Sequence, residues 1–327
     1  MIASEPVIVT LIKLVDAIPL PPPESKRGRG RPRTYSDRLF LKALVIMLVQ
    51  HLHKVHELLT VLAQPTAEMR ALRQLLTENG RFPTRRTWER RLKTMPDTLP
   101  AQIWCLGRHL VALVQPWLTH GRAVAIDSTV LLANGGVWHK KHRDKGEVPH
   151  SSIDQEAHWT KSGWHGWCYG WKLHLVTTIA GVWIPLAADL TPANVADNIL
   201  AESLLAEIPA EVRYVAGDRH YNTPEIRDYC ETHDMALVAT KYGSYPHTDE
   251  GVEVRRLFHK LRSIAIENLN EHFKGIFDVH GQVPTKGLTN TKRFALGAIF
   301  LYQMALLYRF EHDQPLNVGL KPFLKAA

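Results

Sequence analysis

Three carboxylate side chains are candidate ligands for divalent metal ions. Asp127 follows the apolar run 123–126, and Asp218 follows a second such run at 212–217. Glu267 comes later, on a predicted helix. Carboxylates at strand ends lie at the edge of an α/β sheet, where ligands usually bind, and Mg²⁺ prefers oxygen ligands. Two ions held there could activate an attacking oxygen and stabilise a leaving one, whereas three unrelated carboxylates are the simpler alternative.

The elements that precede these side chains are predicted to be helical. Apolar residues recur three and four apart, as on one face of a helix. Ser36 or Asp37 could cap the first of these helices. The first predicted helical stretch covers residues 36–64, the second begins at Pro83 or Thr84, and the third covers residues 99–118.

From residue 119 onward, strands and helices alternate. Residues 171–178 alternate apolar and polar, and a turn at Ala180-Gly181 joins them to 181–188 in a hairpin. Together these elements predict a mixed α/β sheet covered by helices. The most apolar run, 294–308, is short for a membrane span and contains Gln303, which favours a buried helix. The remaining elements are strands at 123–126, 212–217 and 235–240 and helices at 195–208, 224–233, 255–277 and 291–310.

The charge of the chain favours a polyanionic partner. The formal net charge is +8 and the isoelectric point is about 9.4, and each phosphate that is neutralised releases counterions. The run 26–33 follows a proline-rich stretch, cannot bury apolar surface and should be flexible. Arginines in such an arm suit a narrow minor groove, and a solvated linker is the alternative. The arginines concerned are Arg29, Arg31 and Arg33.

A second basic cluster spans residues 81–93. Its predicted helix carries Trp88 and Leu92 four residues apart on an apolar side. The other side is rich in arginine, which is typical of the recognition helix of a helix-turn-helix. A charged, solvated helix face explains the cluster equally well. The candidate DNA-binding residues on this side are Arg85, Arg86 and Arg90.

Cysteine and histidine usage bears on redox state and on zinc. The three cysteines are far apart and form no C-x-x-C pair, which argues against disulfides or a zinc ribbon and suits a reducing cytoplasm. The first twenty residues lack the basic start and cleavage site of a signal peptide. In the segment 133–168, His139 and His142 come closest to zinc-ligand spacing. The tryptophans of this segment either pack on the sheet or stack on bases of opened DNA.

Five short motifs follow one another in a specific order: residues 125–129 (AIDST), 170–174 (GWKLH), 191–197 (TPANVAD), 217–221 (GDRHY), and Glu267 with Lys274. In this order the chain resembles the DDE transposases of bacterial insertion sequences, over roughly residues 35–312. The resemblance implies a ribonuclease-H-like catalytic domain. In that domain Asp127, Asp218 and Glu267 would be the catalytic triad and would hold two Mg²⁺ or Mn²⁺ ions. It also implies double-stranded DNA (element ends and target) as partner, a homodimer on DNA, and a bacterial, cytoplasmic, nucleoid-associated protein.

The helix that bears the glutamate usually carries Tyr, Arg and Lys at set distances in this family. Lys274 lies seven residues after Glu267, two turns along the same face, and could hold a DNA phosphate as a point charge. Arg262, the other candidate DNA contact, lies five residues before Glu267, one more than the usual spacing. The tyrosine is absent, because Phe258, His259 and Lys260 occupy its neighbourhood.

Four further residues near the predicted site could support it or contact DNA, although capping is the simpler role for the last two: Lys172, His174, Asn194 and Asp197. The predicted function is metal-dependent DNA strand cleavage and strand transfer. An inactive or repurposed transposase that binds specific DNA is the alternative, and a zinc hydrolase is a third hypothesis. The predicted organisation is a flexible basic arm (1–35), a helical DNA-binding region (36–118), the catalytic domain (119–312) and a C-terminal tail (313–327).

Overall fold

The structure is a computed structural model. It describes residues 5–22, 34–118, 122–147, 149, 152–163, 166–179, 181–239, 249–316 and 318–326. In these residues the helices are α1 (Val7–Ala17), α2 (Asp37–Val49), α3 (Val55–Leu62), α4 (Ala67–Leu75), α5 (Arg85–Thr94), α6 (Leu99–Val114), α7 (Lys140–Asp144), α8 (Ala201–Leu205), α9 (Pro224–Thr232), α10 (Asp249–Arg262), α11 (Asn268–Ile276), α12 (Leu288–Glu311) and α13 (Leu320–Ala326). The strands are β1 (Ala123–Leu132), β2 (His158–Ser162), β3 (Gly166–Thr178), β4 (Pro185–Pro192), β5 (Tyr214–Gly217) and β6 (Ala236–Ala239). Between α10 and α11 the backbone forms a π-helical turn, Ser263–Glu267.

The strands form one mixed sheet in the order β4-β3-β1-β5-β6. Strand β3 runs antiparallel to β1, β2 and β4, whereas β1, β5 and β6 are parallel to one another. Strand β2 pairs with the first residues of β3 on the same side as β4. The predicted mixed sheet flanked by helices is therefore confirmed, and its strand order fits the ribonuclease-H-like architecture.

Strand β1 is longer than the predicted run 123–126. It continues to Leu132 because residues 128–132 pair with β3, from Ser128 opposite His174 to Leu132 opposite Gly170. The recorded parallel pairing with β5 ends at Ala125. Asp127 therefore lies inside β1 and not at its end. It comes two residues after Ala125, the last residue of β1 that pairs with β5.

The first half of the expected flexible arm is a helix. In α1 the apolar side chains are buried against α2, α4 and α12, because they recur at helical spacing before the prolines begin. Arg38 holds the end of α1 by donating to the carbonyl oxygen of Ile18 at 2.9 Å. The prediction of an irregular arm from residue 1 is thus corrected for residues 7–17. Arg29, Arg31 and Arg33 lie outside the described residues.

Other predicted helices differ in length. The helix predicted over 36–64 is divided into α2 and α3, because His51 adopts a left-handed conformation with φ of 51°. The helix predicted over 195–208 is reduced to a 3₁₀ turn, Asp197–Leu200, followed by α8. The expected tail contains α13, which packs against α11.

Helix α12 is the centre of the molecule. It is buried along most of its 24 residues and contacts α2, α6 and β4. The Gln303 amide donates to the carbonyl oxygens of Ile103 and Pro185, each at 2.8 Å. The buried polar side chain of this helix therefore links α6 to β4. The helical region and the sheet consequently share one continuous apolar core. No helix in the described ranges has the length and hydropathy needed to cross a bilayer.

The predicted cap of α5 can be tested directly. Thr84 Oγ1 accepts from the backbone N–H of Thr87 and is the N-cap, so Thr84→Ala should lower the free energy of unfolding by about 1 kcal/mol. Urea denaturation followed by circular dichroism measures this. Thr84→Ser keeps the hydroxyl and should stay near wild type; equal losses in both variants would contradict the capping role.

Candidate active site

Two of the three predicted catalytic carboxylates are brought together by strand register. Val124 lies opposite Val215 and Ala125 opposite Ala216 in the parallel β1–β5 pair. Continued by two residues, the same register sets Asp127 beside Asp218, which directly follows β5. Asp218 is fixed at the start of the next turn, because its Oδ1 accepts from the backbone N–H of His220 at 2.8 Å.

A third aspartate completes the acidic group around Asp127. Asp197 Oδ1 accepts from Ser128 Oγ at 2.7 Å and from Lys172 Nζ at 2.9 Å. Lys172 also donates to the carbonyl oxygen of Val195 at 3.0 Å. The expected capping role of Asp197 is therefore not seen, because the N-cap of the turn is Ala196. The Asp197 carboxylate is instead held beside the site by the residue that follows Asp127 and by the lysine of the GWKLH motif.

The carboxylate of Asp127 lies in an environment that favours a nearby cation. Burial first, and then the negative charges of Asp218 and Asp197, raise the pKa of Asp127 to about 6 against the opposing effects of Arg262 and the Ser128 N–H. Arg262 Nη1 donates to Asp127 Oδ2 at 3.1 Å. The predicted DNA contact Arg262 is therefore engaged by Asp127 here, and its side chain is only 14% exposed.

Glu267 does not share this contact. It is exposed at the end of the π-helical turn that follows Arg262. A π turn joins residues five apart, so it accommodates the one extra residue between Arg262 and Glu267 and sets them about one turn from each other. Among the described residues, no three His, Cys, Asp or Glu side chains are close enough to hold a metal ion together. Asp218 and Asp197 are thus near enough to act on the charge of Asp127 without forming a three-carboxylate metal site with it, and Glu267 is not among the groups that act on Asp127.

The family is shown by residues 119–273, which match the model of the transposase DDE domain. This segment belongs to the transposase DDE domain family. The matched segment runs from the start of β1 into α11 and contains all three predicted catalytic carboxylates and the Arg262–Asp127 contact. The resemblance seen in the five motifs is thereby confirmed.

Solved structures of low similarity were also found for this transposase. One is the synaptic complex of the piggyBac transposase with hairpin DNA, with 9% identity, a TM-score of 0.37, and coverage of 97% of this chain and 76% of that one. Another is a pre-cleavage Mos1 transpososome, with 12% identity, a TM-score of 0.23, and coverage of 89% and 82%. No curated protein matches the chain.

Tyr221 is a residue of the site to which sequence reasoning gave no role. Its ring is fully buried, and its hydroxyl has no hydrogen-bond partner among the described residues. Burial raises the pKa of Tyr221 well above its usual value, and the charges of Asp127, Asp197 and Asp218 add to this. Gly217 leaves room for the ring, since a Cβ there would come within 3.0 Å of Tyr221. The GDRHY motif thus supplies both Asp218 and the buried ring of Tyr221 near it.

Apart from Arg262 on α10, the predicted DNA-binding residues that the structure describes lie on two helices of the transposase, α5 and α11. Lys274 is half-buried on α11 near Cys168, and burial lowers its pKa. On α5, Trp88 and Leu92 are buried, as the sequence predicted, and the arginine-rich side is exposed. Arg85 pairs with Glu89 at 2.8 Å. Arg86 and Arg90 are exposed on the same helix.

The His- and Trp-rich segment is partly structural in the transposase. The rings of His139 and His142 lie 6.3 Å apart, and His142 pairs with Glu147. Trp138 and Trp159 pack against the core, and Trp159 Nε1 donates to the carbonyl oxygen of Trp138 at 2.8 Å. Trp167 is 67% exposed. Packing therefore accounts for Trp138 and Trp159, and Trp167 is the exposed exception.

The Lys172–Asp197 pair gives a measurable stability prediction. Both side chains are largely buried, and removing one partner of a buried pair leaves an uncompensated charge. Lys172→Met should therefore lower the free energy of unfolding by about 2 kcal/mol. The double variant Lys172→Met, Asp197→Asn should regain part of that loss in a double-mutant cycle. Unfolding by urea measures both, and a single variant as stable as wild type would contradict the pairing.

Proposed function

We propose that this chain cuts and joins DNA at the ends of a bacterial insertion sequence, with Asp127, Asp218 and Glu267 as catalytic carboxylates. The observation that carries the proposal is the juxtaposition of Asp127 and Asp218 by the β1–β5 register inside a transposase DDE domain. Glu267 enters by its place in the same domain, on the helix whose Arg262 already contacts Asp127.

The donor set fits a hard divalent cation. Carboxylate oxygens are the ligands that Mg²⁺ and Mn²⁺ prefer, and the clustered charges of Asp127, Asp218 and Asp197 favour a cation at this point. We assign two such ions to Asp127, Asp218 and Glu267; when bound, they stabilise charge on the attacking and leaving oxygens of an in-line displacement. Arg262 supplies the positive charge beside Asp127 in the structure and competes for its Oδ2.

The reaction proposed has two steps at one site. Water attacks a phosphodiester at the element end and frees a 3′-hydroxyl. That hydroxyl then attacks a phosphodiester of the target, and because one ester replaces another, no ATP is needed. The residues of the chain contribute by position and charge: Lys172 and Ser128 hold Asp197 beside the site, and Lys274 is a candidate point charge for a DNA phosphate.

DNA binding and assembly belong to the same proposal. We assign contacts with double-stranded DNA to Arg85, Arg86 and Arg90 on α5, and to the arginines of the basic arm, Arg29, Arg31 and Arg33. Work on paired element ends requires at least a homodimer on DNA, and we place the protein at the bacterial nucleoid.

One observation favours a second function, that of a transposase-derived protein that binds DNA without cutting it. Arg262, and not Glu267, contacts Asp127, and Glu267 is exposed. If this arrangement persists on DNA, the two aspartates have no third carboxylate from the glutamate helix, while the exposed arginines of α5 still bind phosphates.

Incubation of the purified protein with the DNA that flanks its own gene tests both functions. With Mg²⁺ or Mn²⁺, we expect cuts at fixed nucleotides that leave 3′-hydroxyl ends, followed by joining to a target plasmid. Protein that binds this DNA but never cuts it with either ion supports the second function. Protein that neither binds nor cuts it contradicts both.

A further inference from the structure

A basic cleft separates the helical region from the loop that enters α12. It has a volume of about 830 Å³. One wall is formed by the residues that lead into α3 and by one face of α5, and the other by residues 284–290 and the end of β1. The predicted catalytic carboxylates are not among the residues that line it. Its cationic side chains are Lys54, Arg85, Lys93, Lys286 and Arg293.

The charge of the cleft is unbalanced. Five lysines and arginines face two glutamates, which is an excess of three positive charges. Glu89 pairs with Arg85 at 2.8 Å, and Glu156 accepts from the backbone N–H of Leu288 at 2.9 Å. Lys54 and Lys93 form no ion pair within the described part of the chain. A concave surface with such an excess of positive charge favours a polyanion.

The cations are arranged along the walls and not gathered at one point. Arg85, Glu89 and Lys93 are four residues apart and form one row on α5. Arg85 and Lys93 are thus about 12 Å apart along the helix axis, which corresponds to roughly three or four nucleotides along one strand of duplex DNA. The spacing matches a chain of phosphates better than a single anion.

The two walls are joined at the base of the cleft. Arg293 on α12 donates to the carbonyl oxygens of Leu92 at 3.3 Å and His53 at 3.5 Å, and burial lowers its pKa. The start of α12 is not itself the binding feature, because the N–H groups of Gly287 and Leu288 are bonded to Asp154 and Glu156. The cleft is therefore formed before any ligand binds, and Lys54 and Lys93 are its exposed cations that form no ion pair among the described residues.

We infer that this cleft binds the phosphodiester backbone of duplex DNA, at a distance from the cleavage site and without reading sequence. The inference rests on the proposed function, since it names where the DNA of that reaction is held. It also gives Arg85 a defined place: the row of α5 that faces the cleft contacts phosphates, while Arg86 and Arg90 lie on the neighbouring row of the same helix.

The test is the salt dependence of DNA binding by the double variant Lys54→Gln, Lys93→Gln. Each phosphate contact contributes a slope of about 0.9 to the plot of log affinity against log salt concentration. We therefore expect the slope to fall by about 1.8 and the affinity to fall about tenfold near physiological salt. The loss should be equal on an element-end duplex and an unrelated duplex, because phosphate contacts carry no sequence information.

The control is Lys13→Gln, Lys321→Gln, which removes two exposed lysines on α1 and α13. It should bind with the wild-type slope, and all proteins should melt at the same temperature. A cleft variant with the wild-type slope overturns the inference, even if the wild-type protein cuts DNA. A reduced slope in a protein that never cuts DNA supports the cleft and removes the proposed catalysis. Competition by millimolar inorganic phosphate, with the slope unchanged by the variant, would identify a small-anion site and also overturn the inference.

Discussion

Replacing Asp127 by Asn is expected to lower the rate of strand cleavage by at least about a thousandfold, because losing one metal ligand costs several kcal/mol of barrier and 1.36 kcal/mol is tenfold in rate. The same loss is expected for Asp218→Asn and Glu267→Gln. Single-turnover cleavage of a labelled element end with Mg²⁺ measures it. Fluorescence anisotropy should show that each variant still binds the duplex, because none of the three side chains is needed to neutralise phosphates.

The matched control for this series is Glu271→Gln, which removes an exposed carboxylate one turn beyond Glu267. It should cut at the wild-type rate. If Glu267→Gln also cut normally while both aspartate variants failed, the third carboxylate would have been assigned to the wrong residue. Asp197→Asn would then be the variant to measure, because Asp197 already lies beside Asp127 in the structure.

The substitution that abolishes activity should also stabilise the metal-free protein. Burial and two neighbouring aspartates raise the pKa of Asp127 from 3.8 to about 6 in the folded state. A raised pKa means that the neutral carboxyl is favoured by folding, so stability is lost as the pH rises through 6. Asp127→Asn stays neutral, and at pH 8 it should unfold with a free energy about 3 kcal/mol above wild type.

Urea denaturation in the presence of a chelator measures this difference. It should shrink as the pH is lowered from 8 towards 4.5, because wild-type Asp127 then becomes protonated in the folded protein. Asp144→Asn, at an exposed position on α7, should change stability at neither pH. An Asp127→Asn protein less stable than wild type at pH 8 would mean that the ion pair with Arg262 outweighs the cost of burying the charge.

Much of the site was predictable because its signals are local. The apolar run before Asp218, the caps at Ser36 and Thr84, and the apolar side of α5 all lie within a few residues of the feature they predict. The hairpin and the alternation of helices and strands then predicted the mixed sheet. Local patterns were sufficient wherever the residues that determine a structural feature lie in the same helix or strand as that feature.

What the sequence did not reveal depends on distant partners. Strand β1 continues past Asp127 because β3, about forty residues later, pairs with it, and no alternation in residues 128–132 indicates this. The contact between Arg262 and Asp127 joins residues 135 positions apart. The π-helical turn that accommodates one extra residue before Glu267 is likewise invisible to an α-helical spacing rule, which is why the equivalence of Arg262 could not be decided by counting.

The shared core of the helical region and the sheet limits how this transposase can diversify. Because α12 packs at once on α2, α6 and β4, the helical region is not a separate module that recombination could exchange for another. A graft at residue 118 would remove α2 and α6 from beside α12 and leave its apolar side chains without these partners. New properties of the helical region must therefore arise by point substitutions on exposed faces such as that of α5, and not by exchange of whole modules.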